Sequence, residues 1–379
     1  MGRLHIVSRA GLTGALVLVL IAACTPASAT EPSPAASPVT VATARPATPV
    51  PSATPTSAPT PTAVATPTPL PTPAPVGALD GLTVDPAKAA RLPLAVLIDD
   101  ARRARPQSGF NAASVVYQAP ADGYESRYLL LFQSLDAKDI GPVRSGRLYF
   151  IHWAEEVRAA IAHYGGDWRS RQYLRKYDGR WFTNVDAMGK GAKAFHRIKS
   201  RRAPHNGYTN TKALWAQVKR LGGPRTMDPA LPRRTFIEPT PAADRPASQT
   251  IRIPYRTAII GYRYDRKSGM YRRDVDGKAQ IDSADRRRVT TRNVVVLFMP
   301  YRIDTKVEPG HARPIVGSVG SGKAWVFREG TLVKGRWEKA TDIAPTRLVD
   351  KAGKEIPLVR GRTFFQVVPI GTKVTYRGR

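Results

Sequence analysis

Cysteine is almost absent from this chain, and the single residue, Cys24, excludes several classes of protein. A disulfide scaffold, a zinc ribbon and an iron–sulfur site each require several sulfur ligands. Long apolar runs are lacking as well, since the longest covers residues 11–23 and a helix needs roughly 20 residues to cross a bilayer. The chain is therefore not a polytopic helical membrane protein.

Acidic residues are also few, with 29 Asp and Glu against 59 Lys and Arg and a formal net charge of +30. Such a charge attracts anionic partners over long distances. For an exported protein we expect these partners to be lipid headgroups or anionic envelope polymers, and we expect no nucleic acid. A solvated basic surface without a specific partner is the alternative.

Residues 1–23 are predicted to form a lipoprotein signal peptide. A basic start is followed by an apolar stretch over residues 12–21 and by Ile21-Ala22-Ala23 directly before Cys24, which resembles the bacterial lipobox. In such precursors the cysteine is acylated and becomes the mature N-terminus. We therefore expect Cys24 to anchor the protein to the extracytoplasmic face of the cell membrane. An ordinary secretory signal with an incidental cysteine is the alternative.

Residues 24–83 are predicted to form the anchor and a disordered linker, because proline alternates there with Thr, Ala and Ser. Such a segment has no apolar face to bury and stays extended. It is either a spacer that carries the folded part away from the membrane or a solvated connection without a selected length.

The folded part is predicted to be α+β, beginning with a mixed α/β N-terminal domain over residues 84–235. Residues 92–98 form an apolar run that ends in Asp99-Asp100, which is typical of a buried strand with polar groups at its carboxyl end. Ser145 is expected to cap one helix and Thr209 or Asn210 another. Further strands are predicted at residues 114–118, 127–133 and 159–164, and the two helices are predicted to end near residues 157 and 221.

A mostly β C-terminal domain is predicted over residues 236–379. A proline-rich segment at residues 224–250 leads into it, and turn dipeptides such as Asp276-Gly277 separate its apolar runs. Strands are predicted at residues 251–264, 270–275, 293–299, 324–327, 331–337 and 363–368. No helix is predicted beyond residue 221.

Nine short motifs suggest a known family. Five lie in the N-terminal domain, at residues 104–109, 116–120, 141–147, 163–166 and 203–206, and four lie in the C-terminal domain, at residues 262–265, 292–296, 322–324 and 335–339. With these motifs the chain resembles, over residues 85–370, the YerB-like lipoproteins, a bacterial family built from two adjacent domains of unknown function. The resemblance implies this architecture and an envelope location, and it implies no established reaction.

Three residues depart from the family pattern. Gln118 and Asp122 each stand where the family often has Glu, and Tyr124 stands where it has a second glycine. If the first of those Glu residues were catalytic in the family, Gln118 would argue against catalysis here.

Polar motif residues cluster at the ends of predicted strands, where ligands usually bind to α/β sheets. Guanidinium groups at such positions recognise carboxylates or phosphates with two parallel hydrogen bonds. The predicted ligand-binding residues are Arg105, Gln107, Arg127, Arg144, Arg147 and Asn206. The alternative is that these arginines pair with nearby aspartates and only hold the loops together.

Catalytic candidates are fewer. Asp99 and Asp122 could form the acid/base pair of a glycan-cleaving enzyme, which needs two carboxyl groups on either side of the scissile bond. His163 and His205 are further candidates, but no HExxH-type spacing supports a metal site, and we expect neither a metal nor another cofactor.

Together these features predict an extracytoplasmic, lipid-anchored envelope protein that binds an acidic or sugar-containing envelope ligand through its N-terminal domain. A glycan-cleaving enzyme of the cell wall is one alternative. A scaffold whose β domain recruits another envelope protein is the other.

The anchor is tested by Cys24→Ala. Because no other thiol is present, the variant should escape acylation and accumulate as unprocessed precursor or as released protein. Metabolic labelling with a fatty acid and membrane fractionation measure both effects. Wild-type processing and membrane retention of the variant would refute the assignment.

Overall fold

The computed structural model describes residues 74–246, 248–306, 308 and 310–378. The predicted signal peptide, the anchor Cys24 and the predicted linker up to residue 73 lie outside these residues. Residues 74–83, which the sequence places in the linker, are described, and Leu79 among them is buried in the core. The segment Leu70–Arg379 constitutes one compact unit. None of the helices in the described ranges has the length and apolar character that are needed to cross a membrane.

The secondary structure of the described residues consists of four α-helices, short 3-10 turns and many strands. The helices are α1 (Pro86–Ala90), α2 (Leu148–Glu155), α3 (Trp168–Tyr177) and α4 (Thr211–Arg220). Strands before residue 235 are β1 (Leu94–Asp99), β2 (Val115–Pro120), β3 (Ser126–Phe132), β4 (Ala160–His163), β5 (Thr183–Asp186), β6 (His196–Arg197) and β7 (Gly207–Tyr208).

The remaining strands follow residue 235. They are β8 (Phe236–Ile237), β9 (Thr250–Pro254), β10 (Ile259–Asp265), β11 (Met270–Val275), β12 (Lys278–Ala279), β13 (Thr290–Thr291), β14 (Asn293–Met299), β15 (Tyr301–Asp304), β16 (Arg313–Val316), β17 (Gly320–Arg328), β18 (Thr331–Lys339), β19 (Arg347–Val349), β20 (Leu358–Val359), β21 (Thr363–Pro369) and β22 (Thr375–Arg377). The α+β prediction, with a mixed first part and a mostly β second part, is confirmed.

A ten-stranded sheet forms the centre of the fold, in the order β19-β18-β17-β14-β21-β2-β3-β1-β4-β5. Strand β21 pairs in parallel with β2 on one side, where Val115 lies opposite Thr363, and with β14 on the other. Strands from both sides of the predicted boundary at residue 235 therefore share one sheet. The division into two domains at that position stays a prediction.

The two faces of this sheet carry different layers. Strands β1, β3 and β14 are buried at every position, as expected for strands covered on both faces. Alternate residues of β1 point to opposite sides: Val96 packs in a core with α4 and the second sheet, and Leu97 packs in a core with α2. The second sheet has the order β12-β11-β10-β9-β22, with β13 paired to β11.

Local sequence explains some element boundaries and not others. Asn210 caps α4 as predicted, because its side chain accepts a hydrogen bond from the Ala213 amide at 2.8 Å. The predicted start of α2 at Ser145 is wrong: the helix begins at Leu148, since the Gly146 amide bonds to the Gly165 carbonyl and keeps this segment extended.

Two further elements differ from the prediction because their sequence patterns are weak. Helix α3 is not predicted because its sequence is largely polar and buries only Ser170 and Leu174. The apolar run at residues 251–264 forms two strands, β9 and β10, rather than one. A turn closed by the Tyr255 amide and the Ala258 carbonyl separates them.

The shared sheet is tested by Phe365→Ala. Phe365 lies in β21, is fully buried and stacks on Tyr117 of β2 with 4.6 Å between ring centroids. Removing the ring should lower the free energy of unfolding by about 3–5 kcal/mol. Because β21 joins both halves, we expect tryptophan fluorescence and far-UV circular dichroism to report one shifted transition.

Ile370→Ala is the control, since Ile370 follows β21 directly and is 67% exposed. Its effect should stay within about 0.5 kcal/mol. Two separate unfolding transitions in Phe365→Ala, or an unfolding midpoint equal to that of the wild type, would contradict a core shared by the two parts of the chain.

Candidate functional site

A short extended segment places Arg144 between two strand ends. Strands β1 and β4 are paired in parallel at their start. Beyond that point residues 142–144 lie between them: the Asp99 amide donates to the Pro142 carbonyl at 2.9 Å, the Arg144 amide donates to the Leu97 carbonyl at 2.8 Å, and the Tyr164 amide donates to the Arg144 carbonyl at 3.1 Å. Arg144 thus lies at the carboxyl ends of both strands, where ligands bind to sheets of this kind.

The Asp99 carboxylate orients two of the predicted site residues. Its Oδ2 lies 2.7 Å from Nδ1 of His205 and 3.0 Å from Nε of Arg144, and its Oδ1 accepts a hydrogen bond from the Ala101 amide. The Asp99 side chain is 4% exposed, whereas that of Arg144 is 29% exposed. A buried carboxylate therefore fixes two partly exposed basic groups.

The buried Asp100 carboxylate likewise holds a partly exposed arginine, Arg105. Its Oδ1 lies 3.1 Å from Nε of Arg105 and accepts a hydrogen bond from Gln107, and its Oδ2 accepts one from Gln118 at 3.0 Å. Gln107 is buried, so it supports Asp100 and is not presented to solvent as a binding residue would be. Gln118 thus acts as a hydrogen-bond donor to this carboxylate.

A fully buried arginine of β11 lies beneath this network. Arg273 donates hydrogen bonds to Oε1 of Gln118 at 2.6 Å, to the Tyr128 hydroxyl at 3.2 Å, to the Tyr262 hydroxyl at 3.1 Å and to Gln280. Burial alone lowers the pKa of Arg273, but the nearby phenols and Asp100 raise it overall and keep the group charged. The second sheet is in this way connected to the candidate site.

Asp122 organises a second basic cluster. It pairs with Arg147, with Nη1 of Arg313 at 3.2 Å and with Nη2 of Arg127 at 3.7 Å. Arg127 and Arg147 are buried, which lowers the pKa of each guanidinium, and Arg147 also lies 3.6 Å from Asp167. The inward position of these two arginines fits a structural role better than ligand contact.

His163 and Asn206 have other partners. The His163 ring lies between the Gly165 carbonyl at 2.8 Å and Oδ1 of Asn184 at 2.7 Å, and it is buried. Asn206 accepts a hydrogen bond from Arg197. In the part of the chain that the structure describes, neither residue has a hydrogen bond or ion pair with Asp99 or Asp100. The predicted ligand-binding roles of all these residues stay predictions.

Two members of the site were not predicted. Glu125 follows the turn after β2, and burial together with Asp99 and Asp100 raises the pKa of its carboxyl group, against the influence of Arg105 and Arg144. No local pattern indicates this position. Arg273 had a weak signal, because strand alternation places it on the same buried face as Tyr271.

The exposed layer of the site consists of Arg105, Arg144 and His205, which we call the outer basic triad. Each is partly exposed, and each is held by a buried aspartate. The Nε position of both arginines faces its aspartate, which leaves the Nη groups available for a second partner. Within the described ranges, no group of three or more His, Cys, Asp or Glu side chains is arranged to hold a metal ion.

Two family models match the chain in tandem. Residues 79–223 match the model described as "Protein of unknown function (DUF3048) N-terminal domain", and residues 250–365 match its C-terminal counterpart. The chain belongs to the DUF3048 family. The outer basic triad lies in the DUF3048 N-terminal domain, and Arg273 lies in the C-terminal domain.

Two comparisons with proteins of Bacillus subtilis agree with this assignment. The chain is 28% identical to the protein of strain 168 named "Putative lipoprotein YerB" over 296 residues, which are 77% of this chain and 85% of the relative. The crystal structure of YerB protein is similar with a TM-score of 0.71 and 24% identity, over 80% of this chain and 99% of that one. The second comparison shows that the two chains share a fold.

Two arginine substitutions separate the buried network from the exposed layer. Arg273→Met should lower the free energy of unfolding by about 3–5 kcal/mol, because it leaves the polar groups around Gln118 buried without their donor. Arg144→Ala should cost only about 1 kcal/mol, since Asp99 keeps His205 and the Ala101 amide. Urea denaturation measures both; a loss for Arg144→Ala as large as that for Arg273→Met would make Arg144 part of the structural core.

Proposed function

We propose that this protein is a lipoprotein of the cell envelope that binds an acidic, sugar-containing envelope ligand at the outer basic triad. The lipobox-like sequence before Cys24 and the name of the Bacillus subtilis relative, which calls that protein a lipoprotein, support the anchor. The anchor holds the folded part at the extracytoplasmic face of the membrane.

One observation carries the binding proposal. Arg105 donates a hydrogen bond through Nε to the buried Asp100, and Nε of Arg144 forms an ion pair with the buried Asp99 at 3.0 Å, so both side chains are ordered before any ligand arrives. In the described residues the Nη groups of Arg144 have no partner, and Nη1 of Arg105 has only a long contact of 3.6 Å with Asp276. Ordered guanidinium groups with free Nη donors suit a carboxylate, which accepts two parallel hydrogen bonds.

The charge of the whole chain supports an anionic ligand as well. The formal net charge of +30 creates a positive potential that raises the local concentration of anionic polymers near the protein. This long-range attraction acts on many polyanions, whereas the outer basic triad supplies the specific contact. Salt should therefore weaken the long-range attraction more than the contact at the outer basic triad.

Glycan cleavage by Asp99 and Asp122 has less support. Such a reaction requires two carboxyl groups that can reach the substrate, one as acid and one as base or nucleophile. Asp99 is engaged by Arg144, His205 and the Ala101 amide, and Asp122 is engaged by Arg147, Arg313 and Arg127. Both carboxylates are thus already bound to basic side chains, which favours binding over catalysis.

The binding proposal is tested with the full lipidated chain in phosphatidylcholine nanodiscs and an oligogalacturonate as the probe. Arg144→Ala and Arg105→Ala should each weaken binding about 10- to 100-fold, because each removes a charge-assisted contact. Isothermal titration calorimetry at moderate salt measures the affinities, and a neutral glucose oligosaccharide should not bind.

Arg336→Ala is the charge-matched control, because Arg336 is half exposed and pairs with Glu338 away from the triad. Its affinity should equal that of the wild type at moderate salt. If all three variants lost affinity equally, binding would be a general charge effect and the proposed site would be wrong.

A further inference from the structure

A cavity lies on the face of the central sheet that α2 covers. Its volume is about 520 Å³, which is within the range of small-molecule sites. Its apolar lining includes Leu79, Val115, Leu131 and Val157. The cavity borders the amino end of β2, whereas the outer basic triad lies at the carboxyl end of β1, which is separated from β2 by β3.

A buried donor without an acceptor lines this cavity. Trp153 is 1% exposed, and in the described part of the chain its Nε1 has no hydrogen-bond partner. Buried indole N–H groups nearly always have an acceptor, and an unmade bond of this kind is costly. Trp153 is among the residues that line the cavity, so an oxygen atom of a bound molecule would supply the missing acceptor.

The charged side chains of the cavity leave a positive surplus. The Glu156 carboxylate accepts hydrogen bonds from the buried Lys339 at 2.9 Å and from Thr346, and Nη2 of Arg234 is 4.0 Å from its other oxygen. At Glu156 one carboxylate therefore faces two cations, whereas the other charged residues of the lining balance in number, with Arg233 and Arg347 against Glu338 and Glu355. Arg234 also lies over the Phe365 ring at 5.1 Å, at the border between the charged and the aromatic walls.

We propose that this cavity binds a small amphipathic carboxylic acid, with its apolar body against the aliphatic lining and its carboxylate towards Arg234. The apolar surface accounts for the body, and the unpaired Trp153 donor and the cation surplus account for a single anionic, oxygen-bearing head group. A neutral alcohol would leave the surplus charge uncompensated, and an amine would add to it.

The test titrates octanoate, octan-1-ol and octylamine into the full lipidated chain in phosphatidylcholine nanodiscs by isothermal titration calorimetry. Empty nanodiscs provide the background from partition into lipid. Octanoate should bind saturably with one molecule per chain, at least tenfold more tightly than either of the other two compounds.

Two variants locate the binding. Arg234→Gln removes the cation and should weaken octanoate binding at least tenfold. Val157→Trp fills part of the apolar space without removing charge and should also weaken it, and circular dichroism checks that each variant is folded. Arg347→Gln is the control, because Arg347 lines the cavity but pairs with Glu338 and is 60% exposed; it should bind as the wild type does.

Octanoate binding in the cavity and oligogalacturonate binding at the outer basic triad can be tested independently. Arg144→Ala should leave octanoate binding unchanged, and Arg234→Gln should leave oligogalacturonate binding unchanged. Octanoate binding that is equal in wild type, Arg234→Gln and Val157→Trp would overturn the proposal. So would wild-type titrations that match the empty nanodiscs, or equal affinity for octanoate and octan-1-ol.

Discussion

The hydrogen bonds of the buried Arg273 guanidinium are the interaction that connects the second sheet to the candidate site. They begin in the second sheet and reach Gln118 of the central sheet; Gln118 binds Asp100, and Asp100 fixes Arg105. A charged group at zero exposure is tolerated only where every donor has a partner. The same condition that keeps Arg273 buried therefore holds Arg105 in place at the surface, and it links the two DUF3048 domains around one site.

The central sheet supplies the rigid frame for this network. Strand β21 lies between β2 and β14 in parallel register, so the backbone of the second half continues the sheet of the first. Side chains at the carboxyl ends of the strands are then separated by fixed strand spacings. The inserted segment at residues 142–144 adds Arg144 to this edge through backbone hydrogen bonds, which explains why loop residues far apart in sequence meet there.

Much of this arrangement follows from the sequence, and the remainder depends on long-range contacts. Apolar runs fix β1, β3 and β14, and the Asp99-Asp100 pair marks the end of β1, because burial and strand alternation are local properties. The sequence does not reveal that Asp99 holds His205, or that Arg273 supports Gln118, since these pairs are 106 and 155 residues apart. It also groups Arg127 and Arg147 with the exposed arginines, because residue type alone carries no information on burial.

The most direct measurement is a crystal structure of the compact unit Leu70–Arg379 with an oligogalacturonate bound. The account predicts a carboxylate within hydrogen-bond distance of the Nη groups of Arg144 and Arg105, with both Nε atoms still at Asp99 and Asp100. An oligogalacturonate bound at another surface, or an Arg144 side chain that leaves Asp99 to reach the ligand, would contradict it.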